Sequence, residues 1–260
     1  MVGTFFKKRF LIISVLLVVL FFIFFFGLGS TGLVDETPSL FASAGRTMSQ
    51  SGDWLTPKVN GILRFDKPPL YYWFMAVIYS LPGNQNWDSL GSLSARLPSA
   101  FSALILMIMI ADTLLCHLKS SKNNIYLSLL AALCFGLSPL VVIWSRAAVS
   151  DSLLCSTLGI SLLCFWRKIE SDNQKNTIFP WIMLGLAILS KGPVALIIVF
   201  LTLGSFFSTR KDWPILLRKI NPLRGIIICS IVSLPWFLIQ TFKEGKVFLD
   251  NFFGYHNLQR

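Results

Sequence analysis

The sequence predicts an all-α polytopic membrane protein. Hydrophobic residues make up 54% of the 260 residues and charged residues only 13%, whereas charged residues make up about 25% of a typical soluble domain. The hydrophobic residues gather in long runs, and a helix needs about 20 such residues to cross a hydrocarbon core of roughly 30 Å. The seven predicted spans cover residues 10–28, 97–117, 125–144, 150–166, 178–190, 193–208 and 225–240.

The first span follows the basic residues Lys7, Lys8 and Arg9. A basic start before an apolar run is also typical of a cleaved signal peptide, but no A-x-A-like site follows this run. The sequence therefore favours an uncleaved signal anchor.

The fifth and sixth spans are shorter than a crossing helix requires. We expect them to be tilted, partly re-entrant or longer than their apolar runs. A further stretch, 69–82, is amphipathic and too short to span comfortably. We expect it to be a short interfacial helix in the long loop 29–96.

The basic residues predict the orientation of the chain. With a cytoplasmic N-terminus, the inside segments hold 13 Lys and Arg, and the short outside loops with the tail hold 5. The positive-inside rule therefore favours this orientation in the inner membrane. The net charge of +11 then needs no nucleic-acid partner. The charges gathered at the outer face are Asp35, Glu36, Asp66, Lys67, Arg146, Asp151, Lys191, His256 and Arg260.

The long loop begins with a predicted amphipathic helix at the membrane surface. Thr37 is expected to be its N-cap, Pro38 its first residue and Gly52 its end. Asp35 and Glu36 precede it, where the positive helix end keeps carboxylates ionised. Such a pair suits a divalent metal or a general base, although it could equally do no more than cap the helix.

Lys67 lies in the stretch ILRFDKPPLYYW, residues 62–73. A residue before proline is pushed out of the helical region, so we expect Lys67 to be extended. A helix starting at Pro68 or Pro69 then presents an aromatic anchor at the interface. This places the Lys67 ammonium where it can bind a lipid phosphate, and an ordinary snorkelling lysine is the alternative.

The later outer segments carry weaker signals. Arg146 and Asp151 flank one outer turn, where they could do no more than pair with each other. Lys191 lies between two apolar spans, where Gly192 and Pro193 break the helix. His256 and Arg260 indicate nothing by themselves.

Taken in order, several motifs resemble one known family. They are DE at 35–36, SGDWLTPKVNGILRFDKPPLYYW at 51–73, ARLPSA at 95–100, LSKGP at 189–193 and FFGYHNLQR at 252–260. Together they are similar to the bacterial branch of the dolichyl-phosphate-mannose protein mannosyltransferase-like family. This branch holds the lipid A aminoarabinose transferase-like GT-C membrane glycosyltransferases.

The resemblance implies transfer of a sugar from a polyprenyl-phosphate carrier to a lipid or protein acceptor, with inversion, at the outer face. It implies that Asp35 is catalytic with Glu36, and that Lys67 binds the carrier phosphate. Arg260 is implied as a second phosphate ligand, and we expect Lys191 to assist. A divalent metal is also implied, and Glu36 and Asp151 are its candidate ligands. Asp66, Arg146, Asp151 and His256 are candidate supporting residues.

Members of this family are usually about twice as long, with a further C-terminal part. We therefore expect residues 1–260 to be the GT-C core that forms the N-terminal half, whether as a fragment, a truncated product or one half of a split protein. A transporter or flippase subunit for lipid-linked sugars is the alternative function, and an inactive remnant is another. Transporters typically carry charges near the bilayer midplane and repeated halves, and neither is visible in the sequence.

Overall fold

The computed structural model describes residues 2–118, 123–170 and 178–259, and the side chains of 7–118, 123–170 and 178–255. The described chain is mostly helical, with a single short hairpin, which confirms the predicted all-α class. In a lipid environment the backbone must satisfy its own hydrogen bonds, and a helix does so within one segment.

The helices follow one another with short connections. They are α1 (Val2–Leu20, continued by a π-helical turn at Phe21–Phe25), α2 (Glu36–Ser51), α3 (Leu70–Tyr79), α4 (Asn84–Trp87), α5 (Ser92–His117), α6 (Asn124–Gly136), α7 (Pro139–Arg146), α8 (Ser150–Glu170), α9 (Phe179–Lys191), α10 (Val194–Ser208), α11 (Trp213–Ile220), α12 (Pro222–Glu244) and α13 (Lys246–Leu249), followed by a π-helical segment at Asp250–Gln259.

The described residues contain a single two-stranded sheet. Strands β1 (Lys58–Val59) and β2 (Ile62–Leu63) pair antiparallel, with Lys58 opposite Leu63. Asn60 and Gly61 connect them, and both have positive φ, at 51° and 79°. Asn-Gly is the dipeptide that most favours such a two-residue hairpin turn.

Within the described residues, four helices are long and apolar enough to cross a membrane, and the bent α6–α7 pair could be a fifth. The predicted count of seven spans is not confirmed. The four are Lys7–Phe25, Ser92–His117, Ser150–Glu170 and Trp213–Glu244. Helices α9 and α10 have 13 and 15 residues, which is fewer than a perpendicular crossing needs.

The predicted span 125–144 is broken. Helices α6 and α7 meet at an angle of 65°, because Ser138 is extended (ψ 137°) and Pro139 begins the second helix. A residue before proline disfavours the helical conformation, so the chain bends there.

The bundle of long helices has two opposite ends, and the charged residues gather at them. The basic end holds the N-terminus of α1 and the C-termini of α5 and α8, joined by ion pairs of Asp112 with Arg9 and Arg167. The loop end holds the segment after α1, helices α2 and α3, and the starts of α5 and α8. A buried cluster that includes Phe41, Tyr71 and Phe252 packs at the loop end.

Candidate functional site

Helix α2 presents Asp35 and Glu36 at its start. The helix begins at Glu36 with Asp35 as its N-cap residue, so the prediction that Thr37 is the N-cap is wrong. Pro38 is accommodated because the first-turn N–H groups of a helix have no intrahelical partner. The Asp35 carboxylate makes no capping hydrogen bond, and both acidic residues are exposed. This is evidence against the capping-only interpretation of Asp35.

Arg96 holds the segment that leads to Asp35. Its Nη1 donates to the carbonyl oxygens of Leu28 (2.7 Å) and Thr31 (2.8 Å), and its Nη2 donates to that of Gly32 (3.0 Å). A guanidinium offers several fixed donors, and here they bind carbonyls that no helix satisfies. Arg96 lies in the ARLPSA motif, but the sequence carried no signal of this contact.

Helices α2 and α3 pack tightly and in parallel. Phe41 stacks on Tyr72 with 5.0 Å between ring centroids. Further along both helices, a Cβ atom added at Gly45 would lie 2.9 Å from the Met75 Cβ. Later positions of α2 therefore meet later positions of α3, so the two N-termini lie at the same end of the pair.

This parallel register brings Asp35 and Lys67 to one region. Asp35 lies six residues, or about 9 Å of helix rise, before Phe41. Lys67 lies five residues before Tyr72, just outside the start of α3 at Leu70. Both helix N-termini carry a partial positive charge, which favours a bound anion there.

The stretch before Lys67 is tied to α2 as well. Arg64 Nη2 lies 2.5 Å from Asp66 Oδ2, and the Arg64 guanidinium lies 5.9 Å from the Phe41 ring centroid. Asp66 is therefore a supporting residue that pairs with Arg64. Lys67 itself is half-buried.

The expected aromatic anchor at the interface is wrong for its two tyrosines. Tyr71 and Tyr72 are fully buried, because this face of α3 packs against α2 and α5. The Tyr71 hydroxyl donates to the Ala95 carbonyl oxygen (3.0 Å) and lies 2.8 Å from Ser99 Oγ. Burial raises the pKa of both phenols, so they stay neutral.

A chain of hydrogen bonds continues from Tyr71 into α8. Ser99 Oγ donates to the Val149 carbonyl oxygen (3.1 Å), and Ser152 Oγ donates to the Ser99 carbonyl oxygen (2.8 Å). Ser190 Oγ of α9 then donates to the Ser150 carbonyl oxygen (3.2 Å). These contacts position the start of α8, which carries Asp151.

Lys191 forms an ion pair with Asp151. Its neighbour Gly192 has φ 79° and ψ −145° and ends α9. A Cβ atom added at Gly192 would lie 3.8 Å from Pro68 Cγ and 3.0 Å from Phe252 Cζ. The KPP and SKGP motifs therefore touch, which brings Lys67 and Lys191 into one region.

Arg146 does not pair with Asp151, contrary to the simplest interpretation of that turn. Arg146 donates to the carbonyl oxygens of Ile23 (2.8 Å) and Phe26 (3.0 Å). These carbonyls belong to the π-helical turn and the residue that follows it, where regular helix bonding stops. Arg146 thus supports the end of α1, and Asp151 is left for Lys191.

The remaining candidates are less defined. The side chains of His256 and Arg260 lie outside the described residues. Among the side chains that are described, no three His, Cys, Asp or Glu come together as a metal site. The Asp151 carboxylate forms an ion pair with Lys191. This argues against Asp151 as a metal ligand together with Glu36.

Asp53 forms a network that was not anticipated. Its Oδ1 accepts from the N–H groups of Leu55 and Thr56 (both 3.2 Å), and its Oδ2 lies 3.0 Å from Lys58 Nζ and 3.6 Å from Lys243 Nζ. Burial alone would raise the pKa of Asp53, but these hydrogen bonds and charges outweigh it and lower the pKa. The turn formed by an Asp side chain bonding two residues ahead was its only sequence signal.

Helix α12 completes this network from the other side. Trp236 Nε1 (2.9 Å) and Gln240 Nε2 (2.6 Å) both donate to the Leu55 carbonyl oxygen, and Lys243 Nζ donates to Thr56 Oγ1 (2.8 Å). The loop after α2 is thereby fixed to the last long helix.

Comparison with known proteins agrees with this architecture. A family model described as dolichyl-phosphate-mannose-protein mannosyltransferase matches residues 66–239. An uncharacterized protein of Aquifex aeolicus is 31% identical over 256 residues, which cover 98% of this chain and 54% of that protein. The undecaprenyl phosphate-alpha-4-amino-4-deoxy-L-arabinose arabinosyl transferase of Yersinia enterocolitica is 30% identical over 232 residues, which cover 87% of this chain and 39% of that protein. The chain therefore spans about half or less of the length of these relatives.

The fold is also found among solved structures. The crystal structure of ArnT from Cupriavidus metallidurans bound to undecaprenyl phosphate matches with a TM-score of 0.79 and 23% sequence identity. The match covers 95% of this chain and 44% of that chain. At this identity the likeness establishes a shared fold, and it confirms the predicted GT-C type.

Proposed function

Since the chain belongs to the dolichyl-phosphate-mannose-protein mannosyltransferase family, we propose that it forms the donor-binding part of a membrane glycosyltransferase. The enzyme transfers a sugar from a polyprenyl-phosphate carrier to a lipid A-like glycolipid, another lipid or a protein. The arabinosyl transferase of Yersinia enterocolitica described above, whose name includes undecaprenyl phosphate, aligns with 87% of the chain. Family membership also favours transfer over the alternative of a transporter or flippase subunit.

The parallel packing of α2 and α3 is the observation that carries this proposal. It brings two acidic residues and a lysine to the N-terminal ends of two neighbouring helices, and Gly192 brings Lys191 to the same region. A phospho-sugar donor needs cations for its phosphate and a base near its anomeric carbon. The loop end supplies both kinds of group.

In the proposed reaction, Lys67 binds the donor phosphate. The ammonium stabilises the negative charge that grows on the phosphate oxygen as its bond to the anomeric carbon breaks. The carrier phosphate leaves with the electron pair of that bond. Lys191 adds positive charge nearby while Asp151 holds its ammonium in place. Arg260 is proposed as a further phosphate ligand on the resemblance alone.

Asp35 is the proposed general base. Its carboxylate accepts the proton of the acceptor hydroxyl while that oxygen attacks the anomeric carbon from the face opposite the phosphate. The anomeric configuration is therefore inverted. Asp35 is exposed and makes no capping bond, so its oxygens are open to an acceptor, and Glu36 beside it helps to orient that group.

We further propose that the two acidic residues at the start of α2 can hold a divalent metal. Mg²⁺ is commonly held by one or two carboxylates together with substrate phosphate oxygens and water. The exposed carboxylates of Asp35 and Glu36 fit that pattern better than Glu36 with Asp151, whose carboxylate is paired with Lys191. When bound, the metal would supply positive charge to the phosphate.

We also propose that the N-terminus is cytoplasmic and the loop end faces outward. The basic end carries the Lys and Arg of α1, α8 and α11, and such residues are retained on the cytoplasmic side. The donor and acceptor then meet at the outer surface of the inner membrane.

Sugar transfer by membranes that contain the protein tests this function. A panel of radiolabelled polyprenyl-phosphate sugars is supplied, and labelled glycolipids and proteins are separated and counted. Asp35→Asn and Lys67→Ala are each expected to lower the transfer rate at least 100-fold, as loss of one stabilising group commonly does. Lys246→Ala removes an exposed lysine at the same end and is the matched control. Normal transfer by both site variants, with correct folding, would refute the assignment.

A further inference from the structure

A half-buried ion cluster joins three helices at the basic end. Arg9 Nε and Nη2 lie 2.5 Å and 2.7 Å from the two Asp112 carboxylate oxygens, and Arg167 Nη2 lies 2.7 Å from Asp112 Oδ2. One carboxylate thus faces two guanidinium groups, which leaves an excess positive charge. The Nε of Arg167 is buried with no hydrogen-bond partner among the described atoms.

The surroundings of this cluster are also basic. Lys and Arg outnumber Asp and Glu among the described residues of the basic end. They are Lys7, Lys8, Arg9, Arg167, Lys168, Arg210, Lys211, Arg218, Lys219 and Arg224, against Asp112, Glu170 and Asp212. An anion that approaches this end therefore meets a positive potential.

An apolar groove runs from the cluster along α5. Its volume is about 520 Å³, and Arg9 and Asp112 lie at one end of it. Apolar side chains of four helices line it, namely Phe10, Ile13, Ile105, Ile108, Met109, Ile160 and Phe179. Phe10 is 75% exposed and Ile105 is 52% exposed, so the groove opens sideways from the helices.

We propose that this groove binds one anionic phospholipid of the cytoplasmic leaflet. The headgroup phosphate binds at Arg9, which lines the groove, and at Arg167, which pairs with the same Asp112, and an acyl chain fills the groove between α1, α5, α8 and α9. Charge complementarity selects the headgroup. The acyl chain of a zwitterionic lipid would fill the groove equally well, but its headgroup carries no net charge to offset the excess positive charge of Arg9 and Arg167. Basic pockets between membrane helices on the cytoplasmic side are suited to anionic headgroups.

The proposed lipid site differs from the donor site in position and in role. It lies at the end of the helices opposite Asp35 and Lys67, so its occupant does not enter the transfer reaction. A lipid held there joins α1 to α5 and α8, which are three of the long apolar helices of the described chain.

Lipid retention by the purified full chain tests the proposal. The protein in detergent is exchanged with phosphatidylglycerol or phosphatidylcholine of identical acyl chains, and the bound lipid is counted by native mass spectrometry. We expect phosphatidylglycerol to be retained at least fivefold more than phosphatidylcholine. Arg167→Gln should reduce this preference several-fold, while Arg9 keeps Asp112 paired. Lys246→Gln removes an exposed charge from the loop end and should leave the preference unchanged.

A second variant tests the groove without touching the charges. Ile105→Trp fills the groove and should lower retention of phosphatidylglycerol several-fold, whereas Ile197→Trp, at a similarly exposed position on α10, should not. Equal retention of the two lipids would overturn the proposal. So would an equal loss in Arg167→Gln and Lys246→Gln, or unchanged retention in Ile105→Trp.

Discussion

Replacement of Gly192 by alanine tests the contact that joins the KPP and SKGP motifs. Gly192 has φ 79° and ψ −145°, a backbone conformation that is essentially restricted to glycine. An added Cβ would also lie 3.0 Å from Phe252 Cζ, which is closer than ordinary van der Waals contact. Alanine must therefore either strain the backbone or move Phe252.

The backbone strain alone is worth about 1–3 kcal/mol. We therefore expect Gly192→Ala to lower the free energy of unfolding by about 2 kcal/mol, which is roughly a 30-fold change in the folding equilibrium. Denaturant titration in detergent micelles, followed by tryptophan fluorescence, measures this change. The same variant should lower sugar transfer, because Lys191 directly precedes Gly192 and Pro68, next to Lys67, packs against it.

Gly204→Ala is the matched control. Gly204 lies within α10 with no atom within 4 Å of an added Cβ, so alanine there should stabilise the helix by about 0.5–1 kcal/mol. A Phe252→Leu background should reduce the cost of Gly192→Ala, since the two changes share one contact. If Gly192→Ala were as stable as the unaltered protein, the close packing of these motifs would be refuted.

Two further predictions concern the residues that position the loop end. Arg96→Gln should lower kcat about 10- to 100-fold with little change in the KM for the donor, because it frees the segment before Asp35 and leaves Lys67 in place. Asp53 has a lowered pKa, so its stabilising contribution is complete above pH 3.8 and is lost as the pH falls below that value. Asp53→Asn should therefore lower the free energy of unfolding by about 1 kcal/mol at pH 6 and by much less at pH 3.

Each of these predictions has a defined contradictory result. Arg218→Gln, an exposed arginine at the basic end, controls for charge loss, and a rise in KM alone in Arg96→Gln would contradict a positioning role. For Asp53, the unfolding free energies of both proteins are compared at the two pH values. A difference that stays constant with pH would show that the carboxylate charge contributes nothing.

Much of the helical architecture follows from local sequence. The apolar runs could only become helices, because lipid offers their backbone no hydrogen-bond partners. Gly52 ends α2 in the left-handed conformation, as expected (φ 72°). Helix α3 begins directly after the paired prolines. These features depend on residues within one or two turns of each other.

Other features depended on contacts that the sequence does not state. The aromatic run at Tyr71 and Tyr72 has the same pattern whether it lies at a membrane interface or in a core, and only its packing against Phe41 decides for the core. The Asn60–Gly61 turn is a local signal for the hairpin, although the expected structure of the long loop did not include a hairpin. Arg96 could not be assigned, because its partners lie more than 60 residues away.

The sequence by itself determined that the long apolar runs form helices and which charged residues lie between them, since both depend on local hydrophobicity. Only the tertiary structure decided how those charges are paired. Asp151 pairs with Lys191, 40 residues away, and not with Arg146, five residues away. Helix packing sets that choice, because it brings the ends of α8 and α9 together while Arg146 is drawn to the unsatisfied carbonyls at the end of α1.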